Sequence, residues 1–475
     1  MSTTHQHGWA LPLLLAASTA SAQSISSPFA IIAEQSRTAI SIQGTGARAV
    51  GLGGAFIALA DDASAVSFNP AGLAQLLSPE FSLVAESLQR DQTFSRFKST
   101  DQDFDDSSLK DTAFHPLFFS ATIPFRRTGR NVAVTFSYQR LVDFDFDSDR
   151  NLAFRSPVPG STPRRLTNSV TQKGSLDVYS IAIGAELTPR VLAGASLNLW
   201  RGQWSFDSRQ EIEDSGSVYD IIQDNKFRGV NLNAGLLWRS KYLNMGLTYR
   251  SGFRSEYTFD GRYTALDDQG RPVVQPAQEG LLDLNWPETI GFGLAYKPSD
   301  RLTFTYDSVK TRWSGATFRG SFTTRDPQNG DFQDLSLDGA NFFDFLKSSR
   351  TTDTTDRRGG VEWIAFLGDS VIIPVRVGLF REPQPTVDRV TGEQRVLTGY
   401  TLGFGLKYHS ITVDLAFKDA KSENDISKVV LIGGATPILT KGQESLRERR
   451  IYLTAIFQLN SEGAQRAVKK FFVGN

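Results

Sequence analysis

Apolar and polar residues alternate along most of the chain between Glu80 and Leu459. In Ile411–Phe417 every second residue is large and apolar, and a polar or small residue stands between each two. Ile290–Tyr296 and Val132–Tyr138 repeat this pattern. Because successive side chains of a strand point to opposite faces, a period of two predicts β-strands with one apolar face. Fourteen such segments can be marked along the chain.

The connections between these segments alternate between short and long. Those after the even-numbered segments turn within a few residues, at Arg126–Arg130, Thr188–Arg190, Ser240–Lys241, Pro298–Asp300, Gly368–Asp369 and His409. Those after the odd-numbered segments are long and polar, for example Arg90–Thr112, Asp147–Gly174 and Ser314–Asp356. Short turns at one end and long loops at the other, extracellular end are typical of an outer-membrane barrel. The predicted fold is therefore an all-β, 14-stranded antiparallel transmembrane β-barrel.

The composition favours a membrane barrel over a soluble sandwich, which would show the same alternation. The face opposite the large residues is rich in Gly, Ala, Ser and Thr with scattered charge, as expected of a crowded, partly wet lumen. The chain contains 34 Phe, 12 Tyr and 7 Trp, which can supply a lipid-facing surface with aromatic belts. The formal net charge is zero, so nothing indicates a nucleic-acid partner. Cysteine is absent, which excludes disulfides and thiolate chemistry.

The N-terminus indicates export. Trp9–Ala17 is a short apolar run, and Ala20, Ser21 and Ala22 form a small-residue cleavage signal. The expected location is the outer membrane of a Gram-negative-type bacterium, as a multi-pass protein. The expected divisions are a signal peptide at 1–22, an N-terminal extension and hatch at 23–78, the barrel at 79–460 and a periplasmic tail at 461–475.

A Gly-rich apolar segment lies between the export signal and the first strand. Glycines and an Asn-Pro pair favour sharp turns, and small residues allow backbones to approach closely. The segment is too apolar for an exposed tail and too short for a domain, so we expect a plug inside the barrel. The alternative is a linker next to the signal peptide. The distinctive positions are Gly53, Gly54, Asp61, Asp62, Asn69, Pro70, Ala71 and Gly72.

The motifs Gly53–Phe56, Ala60–Ala63 and Asn69–Gly72 resemble the N-terminal hatch of the FadL/TodX (OmpP1) family, the outer-membrane transport proteins for long-chain fatty acids and other hydrophobic compounds. With the fourteen predicted strands, the resemblance covers nearly all of the mature chain. It implies a hatch in the lumen, ligand capture on the extracellular side, and a hydrophobic interior from which ligand can leave sideways through a defect in the third strand. The motifs do not identify one substrate.

Three features depart from that family pattern. The third predicted strand, Asn131–Phe146, holds no Gly or Pro that would kink it, so its sequence does not indicate a lateral exit. The extension Gln23–Gln43 is longer than a minimal hatch needs. The chain also continues through Ser461–Asn475, which leaves the terminal barrel signal, Phe457 and Leu459, at an internal position.

A row of carboxylates marks the end of the third strand. Alternate positions place these side chains on one face, where they could hold Ca²⁺, although a solvated strand extension is the favoured interpretation. The row consists of Asp143, Asp145, Asp147 and Asp149. Phe144 and Phe146, on the other face, suggest an anchor in the outer leaflet. We expect neither a metal site nor a cofactor.

Catalysis is not expected. Two histidines remain after signal cleavage, His115 and His409, and the predicted layout places them at opposite ends of the barrel. No G-x-S-x-G element occurs, so a Ser–His arrangement would depend on His115 alone.

Inward-facing aromatic and charged residues define a candidate ligand path. The alternation points Trp200 and Trp204 into the lumen near the extracellular end of the fifth strand. Arg250 and Arg376 also face inward and could meet a ligand carboxylate. Buried charges need partners, so ion pairs that join the wall to the hatch through Arg48 are the favoured alternative for any one residue.

The sequence therefore predicts a non-enzymatic barrel for passive transport of long-chain fatty acids or other hydrophobic compounds, such as aromatic hydrocarbons. The expected partners are that small-molecule ligand and outer-membrane lipid, and the expected state is a monomer. The alternative is a non-transporting, PorV-like barrel that scaffolds secretion or surface attachment. A ligand tunnel behind Trp200 and Trp204 would favour transport, whereas a packed lumen would favour the scaffold.

Overall fold

The computed structural model is a closed antiparallel barrel, and the prediction of fourteen wall strands is confirmed. It describes residues 44–98, 103–155, 164–213, 217–266, 272–274, 278–325, 332–336, 339, 341, 349–430 and 438–459. The predicted signal peptide, the N-terminal extension Gln23–Gln43 and the C-terminal tail lie outside these residues. The wall strands are β1 Glu80–Lys98, β2 Ser107–Arg127, β3 Arg130–Asp143 continued by Phe146–Arg155, β4 Arg164–Thr188, β5 Val191–Ile212, β6 Ser217–Arg239, β7 Leu243–Arg250 continued by Phe253–Leu266, β8 Gln278–Trp286 continued by Thr289–Ser299, β9 Leu302–Thr311, β10 Thr354–Leu367, β11 Val371–Asp388, β12 Gln394–Tyr408, β13 Ile411–Val430 and β14 Ile438–Gln458.

Antiparallel pairing joins each wall strand to the next, and β14 closes the barrel on β1 from Glu80 opposite Gln458 to Lys98 opposite Lys441. Closure leaves no free sheet edge, as a membrane interior requires. The short turns lie at the predicted places. Thr128 and Gly129 link β2 to β3 with positive φ values of 50° and 79°, and His409 takes a φ of 53° between β12 and β13.

The predicted extent of the long loops is wrong, because much of Arg90–Thr112 and Asp147–Gly174 is strand. Strands β4, β5 and β6 contain 25, 22 and 23 residues, whereas ~9–11 residues span a bilayer. Polar hairpins therefore continue the sheet beyond the membrane, where each backbone group still finds a partner on the neighbouring strand.

The outward face of the barrel is apolar over the height of a membrane. On β13, Ile411, Val413 and Leu415 are 42%, 38% and 47% exposed, whereas the intervening Asp414 and Ala416 are each 1% exposed. An apolar band around a closed barrel is the surface that lipid covers. The predicted multi-pass outer-membrane location is confirmed. Among the described residues, no helix is long and apolar enough to cross a membrane.

The third strand is not the continuous strand that its sequence predicts. It breaks after Asp143 and resumes at Phe146, and its pairing with β4 slips between Arg140 and Val142. The lack of Gly and Pro did not prevent this, because a bulge needs only one extra residue on one strand. The predicted lipid anchor at Phe144 is also wrong, because this ring is buried inside the barrel, 8% exposed.

Candidate functional site

Residues 44–79, which we call the luminal segment, lie inside the barrel. They form two short helices, α1 Ala47–Gly51 and α2 Ala65–Phe68, and a 3₁₀ helix, Pro70–Gln75. Small residues dominate this segment, and most of its apolar side chains are buried. The segment lies toward the short-turn end, because the Asn131 side chain, at the start of β3, donates to the carbonyls of Ala74 and Leu76, both at 2.7 Å.

The predicted Asn-Pro element is a fixed turn against the wall. The Asn69 side chain accepts from the Ala71 amide at 3.1 Å, and it donates to the Ile57 carbonyl at 2.9 Å and to the Leu236 carbonyl of β6 at 3.1 Å. Asp307 of β9 accepts the Ile57 amide at 2.9 Å. These bonds satisfy backbone groups of a segment too irregular to pair them within itself.

Wall glycines let the luminal segment approach the strands closely. A Cβ atom on Gly378 of β11 would collide with the backbone nitrogen of Gly53, and one on Gly194 of β5 would collide with the Pro70 carbonyl. Gly53 itself has a φ of 71°, which residues with a side chain rarely adopt. The Gly-rich inner face predicted from sequence thus contacts the luminal segment directly.

A chain of ion pairs joins the luminal segment to the wall. Glu362 of β10 accepts from Arg48 at 3.0 and 3.1 Å and from Arg376 of β11 at 2.6 Å. Arg48 also donates to Asp61 at 2.5 Å, and Arg376 donates to Asp414 of β13 at 2.6 Å. Arg376 thus belongs to structural ion pairs, which the sequence analysis favoured, and does not lie beside an open ligand path.

A cavity of about 120 Å³ lies between the luminal segment and the long-hairpin end. Its lining combines apolar side chains with both signs of charge, and comes from the luminal segment, β1–β3 and β11–β14. It includes Gly54, Phe68, Glu86, Leu88, Arg90, Asp111, Ala113, His115, Leu117, Gln139, Arg140, Val142, Asp143, Glu382, Leu397, Lys418, Glu448 and Arg450. Arg250, by contrast, lines a second cavity of about 60 Å³ beside α2.

Three nitrogen atoms at the first cavity make no hydrogen bond with any residue that the structure describes. They are Nη2 of Arg90, Nδ1 of His115 and Nε of Arg140. The rest of the Arg90 guanidinium is paired, with Glu448 at 3.0 Å and Asp111 at 3.5 Å. Buried donors without acceptors are costly, so a ligand oxygen would be stabilised here.

The cavity reaches a gap in the barrel wall. Pairing between β2 and β3 runs from Arg127 opposite Arg130 only as far as Phe118 opposite Gln139. Beyond this point Ser107–Pro116 pairs with β1 alone among the described residues, until Phe104 pairs with Phe154. We call this opening the wall gap.

His115 bridges the wall gap from β2 to β3. Its Nδ1 lies 2.9 Å from Oδ2 of Asp143, although the contact lacks the alignment of a hydrogen bond. Its Nε2 lies 3.7 Å from Glu86 of β1. Sequence reasoning missed the cavity residues Arg90 and Asp111 because both fell inside a predicted loop, where inward and outward positions were not assigned.

Trp200 and Trp204 point inward and belong to a packed aromatic cluster. Trp204 stacks on Phe144 with ring centroids 4.5 Å apart, and Trp200 lies 5.4 Å from Trp286. Trp200 also donates to Asn231 at 2.8 Å. The two tryptophans are 3% and 4% exposed, so they do not face an open tunnel.

The carboxylate row of the third strand does not converge on one point. Asp143 faces His115, while Asp145 accepts from the Gly174 amide at 2.7 Å and Asp147 from Thr171 at 3.2 Å. Within the described ranges, no group of three or more His, Asp or Glu is arranged to hold a metal ion.

Comparison with solved structures identifies the architecture. A Pseudomonas aeruginosa FadL homologue matches with a TM-score of 0.61 and 12% identity, over 89% of this chain and 100% of that one. The Pseudomonas putida toluene transporter TodX matches with a TM-score of 0.57 and 12% identity, again over 89% and 100%. This chain has the FadL-type fold.

Two further comparisons bear on the chain. The CymD monoaromatic hydrocarbon channel also shares the FadL-type fold, with a TM-score of 0.54 and 13% identity over 89% of this chain and 100% of CymD. Residues 14–94 match an uncharacterised protein family, UPF0164. No curated protein is significantly similar in sequence. The resemblance predicted from the hatch motifs is thus confirmed at the level of the fold.

Proposed function

We propose that this barrel passes hydrophobic molecules with an anionic group, of which long-chain fatty acids are the simplest class, across the outer membrane. The observation that carries the proposal is the cavity that ends at the wall gap. A ligand in this cavity would lie beside an opening in the wall, and could leave sideways into the membrane. Movement would be passive, down the concentration gradient, with the luminal segment acting as the hatch.

The mixed lining supports an amphipathic ligand over a neutral hydrocarbon. Leu88 and Leu117 offer apolar contact, while Nη2 of Arg90 has no hydrogen-bond acceptor among the described residues of the same cavity. A carboxylate would supply the acceptor that this donor lacks. The FadL-type channels with a named substrate class act on toluene or monoaromatic hydrocarbons, so this chain would differ from them in requiring an acidic head group.

Paired ligands test this proposal. The purified barrel should bind a long-chain fatty acid at least about tenfold more tightly than the alcohol of equal chain length, because the alcohol lacks the charge-assisted bonds. Arg90→Gln should remove that preference. Arg449→Gln, on the outward face of neighbouring β14, is the control and should retain it. Equal binding of acid and alcohol by the unaltered protein would contradict the proposed substrate class.

A second candidate function, a scaffold for secretion or surface attachment, is favoured by the size of the cavity. The cavity of about 120 Å³ is smaller than typical ligand sites of about 300–1,000 Å³. The packed cluster around Trp200 and Trp204 points the same way. A deletion strain with normal fatty-acid uptake but with surface proteins released into the medium would favour the scaffold over transport.

A further inference from the structure

Two arginines stand directly opposite each other on the outside of the barrel. Arg357 of β10 pairs in register with Arg381 of β11, and both side chains are exposed. Directly opposed residues have Cβ atoms about 4.5–5.5 Å apart, and like charges in that position destabilise a sheet. The flanking positions, Ser308 of β9 and Thr398 of β12, carry no negative charge that would offset the repulsion.

Neither arginine has an ion pair or hydrogen bond with any residue in the described part of the chain. Two other outward arginines do have partners. Arg312 donates to Glu288 at 2.5 Å, and Arg254 forms an ion pair with Asp283. The doublet Arg357–Arg381 is therefore an exposed pair of guanidinium groups without a counter-charge among the described residues.

The doublet lies at the upper edge of the apolar band. Arg381 comes ten residues after Val371, where β11 starts, and Arg357 ten residues before Leu367, where β10 ends. At about 3.3 Å per residue and a tilt of about 40°, ten residues rise ~25 Å, the height of the apolar band of such barrels. The short turns mark the periplasmic end, so the doublet faces the head groups of the outer leaflet.

Apolar residues continue directly below the doublet. Leu379 is 65% exposed and Val377 49% exposed on β11, and Trp363 is 53% exposed on β10. A molecule that fits this surface has a negative group at the height of the arginines and hydrocarbon beneath it. Guanidinium groups bind phosphate oxygens in a bidentate manner, and two of them can hold one phosphate between them.

We propose that Arg357 and Arg381 form a binding site for a phosphate-bearing lipid of the outer leaflet. The phosphate lies between the two guanidinium groups and relieves their repulsion, while the acyl chains pack along Leu379 and Trp363. A second doublet of the same kind, Arg201 opposite Arg228, stands on β5 and β6. It is flanked by Asp177 and Glu256, so we expect weaker lipid binding there.

Native mass spectrometry of the delipidated full-length protein, titrated with diphosphorylated lipid A, tests the site. The Arg357→Gln/Arg381→Gln variant should bind this lipid at least about tenfold more weakly than the unaltered protein. The Arg254→Gln/Arg312→Gln variant changes the net charge equally but removes arginines that already have partners, so it should bind as before. Lipid A without phosphates should bind with equal affinity to the unaltered protein and to the doublet variant.

Three results would overturn the proposal: equal lipid A binding by the doublet variant and the unaltered protein, equal weakening in the control variant, or complete displacement of lipid A by millimolar inorganic phosphate. The last would indicate a site for free phosphate without lipid. Heat-modifiable mobility on gels verifies that each barrel is folded. If the doublet variant does not fold, Arg381→Gln alone serves, and it should still weaken binding.

Discussion

Replacing Glu362 with alanine should release the luminal segment while the barrel wall stays folded. Glu362 is buried and accepts three hydrogen bonds, two from Arg48 and one from Arg376. Removing one partner of a buried ion pair costs about 3–5 kcal/mol, because the remaining charge is left uncompensated. Arg48 still has its ion pair with Asp61, and Arg376 its ion pair with Asp414. We therefore expect a cost at the lower end of this range, about 3 kcal/mol. This corresponds to a roughly hundredfold larger undocked fraction.

Hydrogen exchange measured by mass spectrometry on the detergent-solubilised protein checks this expectation. Peptides from residues 44–79 should lose protection in Glu362→Ala, whereas peptides from β5 and β6 should not, since their strand pairing does not involve the segment. Glu288→Ala is the matched control, because it removes an acid from a more exposed ion pair with Arg312 on the outer face. Unchanged exchange of residues 44–79 in Glu362→Ala would refute the ion-pair argument.

Three further predictions concern the luminal segment and the aromatic cluster. Gly378→Val should displace Gly53 and weaken docking of the segment by about 1–3 kcal/mol, measured as lost exchange protection of α1. Adding a long-chain fatty acid should change the tryptophan fluorescence, and Trp204→Phe should remove most of that change, because Trp204 stacks on Phe144, which lies between the cavity residues Asp143 and Asp145. An unaffected signal would argue against ligand entry there. Burial and the neighbouring Glu80 raise the pKa of Asp62, which lies outside the membrane-spanning strands, to about 7. Because this folded-state pKa is raised, the stabilisation that protonated Asp62 gives to docking of the luminal segment is complete below pH ~4 and is lost as the pH rises through about 7. Hydrogen-exchange protection of residues 44–79 should fall over this pH range. The Asp62→Asn variant should not show this pH dependence.

The wall of the barrel could be predicted from sequence because its signal is local. Alternation of the kind seen in Ile411–Phe417 identifies a strand and its lipid face without knowledge of its neighbours. The alternation fades beyond the membrane, where both faces of a strand can be polar. For this reason Arg90–Thr112 was predicted to be a loop, although most of it is paired strand.

The candidate site could be predicted only in part, because it depends on contacts between distant segments. The alternation placed Arg376 on the inner face, where a charge needs a partner, but only the register of β10, β11 and β13 shows that the partners are Glu362 and Asp414. The wall gap had no sequence signal either. It results from where the pairing of β2 and β3 stops, at Phe118 opposite Gln139, and neither residue is unusual in a strand.

Lateral passage through the wall gap can be tested by closing it. The protein contains no cysteine, so His115→Cys/Asp143→Cys places the only two thiols on either side of the gap. Cells that produce this variant should take up labelled long-chain fatty acid before treatment, lose uptake when a cleavable bis-thiol reagent bridges β2 to β3, and regain it after the bridge is cleaved. The reagent should not affect cells that produce the unaltered protein. Undiminished uptake through a fully bridged barrel would contradict passage through the wall gap.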